Sequence, residues 1–194
     1  MIHAPVGSPR RALSNGPQRD PHGHLVPPAS LQIEIALQKY IHIEEISHLH
    51  TAGNSSGIVD GASITLVGSK RNAASQGLKP RARILSAATC STDPTTMLEG
   101  PAPATKKALS MANLTIDDLD YIDLYSCFPS AVQIAMNELG LSKNDPRGLT
   151  VTGGLPYFGG PGNAYVMNSI ATMMKKLRTK LNSFGLATAN GWYI

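Results

Sequence analysis

Between residues 62 and 189, short runs rich in Ile, Leu, Val and Tyr alternate with longer runs of helical period. This alternation is the strongest constraint in the chain. Strands joined through helices can bury their apolar faces together only as a layered α/β unit. Strands are predicted at 62–68 (ASITLVG), 81–88 (RARILSAA), 119–125 (LDYIDLY), 149–152 and 184–189 (FGLATA). Helices are predicted at 69–76, stopped by Gly77, and at 102–112, with Pro103 in the first turn. A third runs from about 128 to 139, started by Pro129 and stopped by Gly140. The last follows a glycine-rich loop at 153–163 and runs to about 181, with Met167, Ile170, Met174, Leu177 and Leu181 on one stripe. Lys175, Lys176, Arg178 and Lys180 gather near its C-terminal end, where cations complement the helix dipole.

The beginning of the chain reads differently. All six histidines lie within the first 50 residues, and six of the 14 prolines within the first 28. Residues 1–30 show neither strand nor helix period. Residues 31–46 fit both templates equally. The predicted partition is an irregular arm over 1–35, a connecting segment over 36–61 and an α/β domain over 62–194. The chain closes on Gly191, Trp192, Tyr193 and Ile194, an apolar stop that predicts a chain ending before its domain does.

Composition narrows the function classes. No apolar run nears the roughly 18 residues a membrane helix needs, and the N-terminus lacks a secretion-signal core, so a cytoplasmic protein is expected. Cys90 and Cys127 are too few for a disulfide scaffold or a thiolate metal site. Seventeen basic against 13 acidic residues give a net charge of +4. No Lys/Arg block with interleaved aromatics accompanies it, which argues against nucleic acid.

Three stretches carry candidate chemistry. Loop 153–163, GGLPYFGGPGN, places five glycines ahead of a helix, where backbone N–H groups can converge on an anion or oxyanion. It lacks the Gly-Lys-Ser/Thr of a phosphate-binding loop, and a tight turn explains its glycines equally well. Tyr125, Ser126, Cys127 and Phe128 stand at a strand-to-helix step, where ligands gather in α/β sheets. A thiol there can feel the helix dipole; the alternative is a buried cysteine packed as a small apolar side chain. Loop 50–61, HTAGNSSGIVDG, has Asn54 and two serines suited to an amide ligand, or to a surface turn. Asp117, Asp118 and Asp120 read as a solvated run and caps, without metal-ligand spacing.

Residues 36–61, ALQKYIHIEEISHLHTAGNSSGIVDG, then LKPRARILSAATCSTDPTTMLEGPAPATKKAL and LTIDDLDYIDLY, resemble the C-terminal half of the thiolases of acetyl-CoA acetyltransferase type. DLYSCFPSAVQIAMNELGL and LTVTGGLPYFGGPGNAY are similar to the thiolase-like and sterol-carrier-type branch. The resemblance implies a thiolase-like layered fold, here one C-terminal half with a mixed β-sheet covered by helices. It also implies acyl-CoA thioester chemistry with coenzyme A as part of the substrate and no separate cofactor.

Matched positions imply roles. Ser56 falls where the family's serine meets the pantetheine amide, beside Asn54. Tyr125 falls where many members have the asparagine that orders an oxyanion-hole water. Cys127 and Phe128 follow the sterol-carrier branch. Gly160 replaces the catalytic histidine of a Gly-His-Pro motif whose flanks, Gly159 and Pro161, remain, with Phe158 just before. Asn190 replaces the second catalytic cysteine, and no stretch resembles the nucleophilic cysteine motif of the other half. Condensation needs a base and donors for the developing oxyanion, so the resemblance implies an acyltransferase scaffold that does not turn over alone. A second copy or a complementary thiolase half is the expected partner. Two other readings stay open: a binding or assembly module, and an enzyme with Cys127 as nucleophile.

Overall fold

A computed structural model of the chain describes residues 49–93 and 99–191, with residues 18–19, 25–26, 38, 41–42 and 44–45 ahead of them. Most of the predicted arm and of segment 31–46 lies outside the described residues. The chain divides into two units, Met1–Thr51 and Ala52–Ile194. In the first, β1 (Gln18–Arg19) pairs antiparallel with β2 (Leu25–Val26), a local pairing inside a stretch read as patternless.

The second unit holds α1 (Lys70–Ser75), α2 (Pro101–Ala112), a 3-10 turn (Ile116–Asp118), β3 (Tyr121–Asp123), α3 (Pro129–Leu139), a helical turn α4 (Leu155–Phe158), α5 (Ala164–Leu177) and β4 (Gly185–Ala187). Local chemistry sets their ends. Ser69 caps α1 by accepting from Asn72 N–H. Pro129 opens α3, and Gly140, with φ of 68°, closes it. Thr115 and Asp118 bond reciprocally around the 3-10 turn. Those bonds hold the Asp118 carboxyl below its usual range, so this aspartate is a cap, as its position suggests.

β3 and β4 run parallel, with Tyr121, Ile122 and Asp123 opposite Gly185, Leu186 and Ala187. On the other side of β3, Leu124 N–H donates to Leu149 O at 2.9 Å. Residues 149–152 lie alongside without forming a strand, because Val151 N–H turns to the Asp123 carboxylate instead of a backbone carbonyl. Leu119, Ile122, Leu124, Ala135 and Leu141 form the buried core, flanked by Leu109, Leu149 and Phe184. This is an α/β fold of helices on a small parallel sheet.

Two further predicted strands do not form. Residues 62–68 and 81–88 carry no assigned secondary structure and make no ladder among the described residues. The predicted stripe of α5 is also displaced. Its buried residues are Tyr165, Ser169 and Met173, whereas Met167, Ile170, Met174 and Leu177 are half-buried and Leu181 lies beyond the helix end, exposed. The cause is Asp123, which draws hydroxyl donors onto the inner face.

Candidate functional site

The site grows from three loops at the C-terminal end of β3. Ser56 N–H donates to Cys127 O at 2.8 Å, and Gly160 N–H donates to Gly57 O at 2.7 Å. Ile58 and Gly160 form a parallel bridge. The stretches NSSG, YSCF and FGGPG therefore meet, as three separate sequence motifs.

Glycine makes this meeting feasible. A Cβ on Gly160 would collide with Ser56 Oγ and stand 3.2 Å from Gly57 O. A Cβ on Gly159 would reach Val59 at 2.6 Å, and its φ of 97° disfavours a side chain in any case. At position 160 the requirement is close approach rather than dihedral, and the Ser56 hydroxyl occupies the space a residue-160 side chain would enter.

Beneath the loops lies a polar network that the sequence reading missed. Asp123 is fully buried. Its Oδ1 accepts from Thr150 Oγ1 at 2.8 Å and Val151 N–H at 2.9 Å. Its Oδ2 accepts from Ser169 Oγ at 2.5 Å and Tyr165 Oη at 3.3 Å. A buried carboxylate persists only when donors replace its water, and these four come from the segment leading into the glycine loop and from α5. The available signal was a lone acid between Ile122 and Leu124 in an otherwise apolar strand core.

Tyr165 connects this network to the loops. Its ring meets Tyr125 edge-on at 5.8 Å and Phe158 at 5.7 Å. Its hydroxyl lies 2.8 Å from Thr152 Oγ1. Burial, above all, pushes its pKa up to about 12, so it is a neutral hydrogen-bonding group. Tyr125 N–H donates to Thr188 Oγ1 at 2.8 Å, tying the step after β3 to the residue after β4. Ser126 Oγ accepts Leu155 N–H at 3.0 Å, joining the same step to α4.

The remaining candidates fall as follows. Burial pushes the Cys127 thiol above its usual pKa, outweighing the backbone N–H groups that act against it. The lowered pKa that its helix-start position suggested is not realised, and Cys127 packs as a half-buried side chain. Burial raises Tyr125 as well. Asn54 is exposed and accepts from Ser55 Oγ. Asn190 lies against the start of α2, where a Cβ on Gly100 would be 3.8 Å from its Oδ1. That oxygen is buried with no partner among the described residues. Among those residues no three His, Cys, Asp or Glu side chains group as metal ligands, and no helix is long and apolar enough to cross a membrane.

Residues 78–191, more than half of the chain, match the family described as thiolase, C-terminal domain. The 3-ketoacyl-CoA thiolase of Alcanivorax borkumensis is 39% identical over 138 residues, 71% of this chain and 35% of that protein. The 3-oxoadipyl-CoA/3-oxo-5,6-dehydrosuberyl-CoA thiolase of Escherichia coli K12 is 44% identical over 97 residues, 50% of this chain and 24% of that protein. A monomeric SCP2-thiolase-like protein type 1 from Mycobacterium smegmatis is similar in structure, with a TM-score of 0.55 and 35% identity. That match covers 62% of this chain and 29% of the other. The chain thus spans about a third or less of the length of these relatives. With its three loop motifs converging at the end of a parallel β-sheet, the chain belongs to the thiolase family through the family's C-terminal domain.

Proposed function

We propose that this chain is an acyltransferase subunit of the acetyl-CoA C-acyltransferase type, which binds acyl-CoA thioesters and does not turn them over alone. The observation that carries the reading is the convergence of Ser56, Cys127 and Gly160 through two backbone hydrogen bonds. On this reading Ser56 and Asn54 meet the pantetheine amide, and Gly159 and Phe158 shape the loop beside the thioester. Tyr125, Cys127, Gly160 and Asn190 hold the family's catalytic positions. Their chemistry explains the silence: glycine has no base, an amide does not shuttle protons near neutrality, and the Cys127 thiol is pushed towards its neutral form. All six histidines precede residue 51.

Thiolysis and condensation assays on the purified chain, with acetyl-CoA and acetoacetyl-CoA, test this reading beside calorimetric titration with CoA. Binding without turnover is expected. Turnover comparable to a complete thiolase overturns the inactivity argument, and no CoA binding overturns the ligand.

A second reading, a non-catalytic assembly module in the cytoplasm, is favoured by one observation. Ile58, Ile64 and Leu66 are 98%, 94% and 82% exposed, an apolar surface suited to a partner. The partner is a second copy or a nucleophile-bearing thiolase half. Light scattering decides: a stable monomer that leaves an apolar dye unbound counts against the module.

A further inference from the structure

Residues 62–85 form an excursion anchored at both ends. At its start, a Cβ on Gly61 would stand 2.6 Å from Pro161 Cβ, so the two residues are in close contact. At its end, Ser86 Oγ donates to Ala108 O at 2.7 Å. Between these anchors none of the described residues is buried, and apart from α1 they form no helix or strand. The excursion carries Lys70, Arg71, Lys79, Arg81 and Arg83 and not one aspartate or glutamate. All five cations are exposed, and none is in an ion pair among the described residues. The whole chain has a net charge of +4. With five positive charges here, the rest of the chain carries one more acid than base.

Apolar side chains are interleaved with these cations. Ile64, Leu66 and Val67 precede Lys70 and Arg71, Leu78 precedes Lys79, and Ile84 and Leu85 follow Arg81 and Arg83. All six are exposed. So much apolar surface in water marks a contact with something else, and the charge among these residues selects what that is. Protein interface cores are depleted in lysine. Single-stranded nucleic acid is held by stacking on aromatic rings, and residues 62–85 contain none. An anionic bilayer meets both features at once: lipid phosphates take the cations, and the acyl boundary just beneath them takes the apolar groups. The excursion has no acid of its own to oppose that approach. No helix of the described residues is long and apolar enough to cross a membrane, so the contact is one of lying on the surface.

We propose that residues 62–85 seat this chain on an anionic phospholipid surface, the apolar side chains entering the headgroup boundary and the five cations meeting the phosphates. The inference goes beyond the thioester reading and does not rest on it. Sedimentation of the purified full chain with vesicles tests it, one set of phosphatidylcholine alone and the other with about a third phosphatidylserine. Binding to the anionic vesicles is expected to be at least about 100-fold tighter, and to weaken as salt rises from about 0.1 M to about 0.5 M. Equal binding to the two sets, or binding to neither, overturns the proposal.

Three paired variants locate the seat. Arg81→Glu with Arg83→Glu should lower affinity for anionic vesicles at least about 100-fold. Lys175→Glu with Lys176→Glu makes the same charge change at the end of α5 and should alter it by less than about 3-fold. Ile64→Ser with Leu66→Ser should weaken binding about 10-fold or more. All six positions are exposed, and far-ultraviolet circular dichroism checks that the variants fold. Equal losses from the two charge pairs overturn the excursion as the seat, and unchanged binding by the serine pair overturns entry of its apolar side chains. Light scattering tests the other occupant. A dimer that Arg81→Glu with Arg83→Glu dissolves, with vesicles left unbound, makes the occupant a second copy and overturns the lipid surface.

Discussion

Residues 62–67 and 121–124 make similar sequence patterns and opposite structures. Around β3, Ile122 and Leu124 are 0% and 1% exposed, held between β4 and residues 149–152. In residues 62–67, Ile64 and Leu66 face solvent while Ser63 and Thr65 are half-covered, and Thr65 Oγ1 is buried with no partner among the described residues. The apolar side points out and the polar side points in, an inversion of the usual half-buried strand. Alternation by itself therefore does not make a chain a strand. Pairing, supplied by neighbours far away in sequence, makes it a strand and chooses its buried face.

If the paired region owes its order to the network under β3, removing the network's centre should do the most damage. Asp123→Ala leaves Thr150, Val151 N–H, Ser169 and Tyr165 without their shared acceptor. The expected loss is on the order of 3–5 kcal/mol in urea unfolding, with Asp123→Asn milder because its amide oxygen still accepts. A loss below 1 kcal/mol for Asp123→Ala would show that the hydroxyls repartner freely. The direct contrast comes next. Ile122→Ala should cost about 2–5 kcal/mol, whereas Ile64→Ser should stay within about 0.5 kcal/mol and reduce dye binding. Equal losses at the two sites would erase the distinction between the regions.

The same contrast explains what was legible in the sequence. Helices α2 and α3 were readable because Pro103, Pro129 and Gly140 are local signals that act within one turn. β3 and β4 were readable because their apolar runs do meet a partner. Residues 81–88 carry an equally good pattern and join no strand among the described residues, since pairing is a property of the neighbours. At the site, Gly159 and Gly160 stood out as glycines, but the reason at 160, a serine from a loop about 100 residues away, appears only in space. Asp123 was overlooked because a sequence shows the acid and not the four donors scattered over residues 150–169.

Gly160 tests whether the loops join the ordered region as tightly as β4 does. Gly160→Ala should cost about 1–3 kcal/mol through the clash with Ser56. Ser56→Gly in the same chain should recover most of it in a double-mutant cycle. Additive losses would mean that the two loops yield independently.

Acid probes the far edge of the packed region, where Arg147 bridges Asp145 at 2.7 Å and donates to Ile116 O and Leu119 O. The Arg147 hydrogen bonds hold the Asp145 carboxyl down to about 2. A depressed folded-state pKa stabilises above the unfolded value, near 4, and that contribution fades as pH falls towards 2. Asp145→Asn should flatten the stability curve between pH 4 and 2 and leave its slope near neutrality unchanged. An unaltered acid limb would place the acid sensitivity elsewhere.

The smallest effect is expected where the packed region meets water. Lys106 bridges Glu138 at 3.1 Å between α2 and α3, but their side chains are 56% and 54% exposed. In water the attraction is offset by screening and by the entropy of holding two long side chains. Lys106→Ala should therefore change unfolding free energy by less than about 1 kcal/mol, and 0.5 M salt should leave the difference between variant and parent near zero. A larger, salt-sensitive loss would mean that surface charge helps clamp α2 to α3, and that the order around β3 does not rest on burial alone.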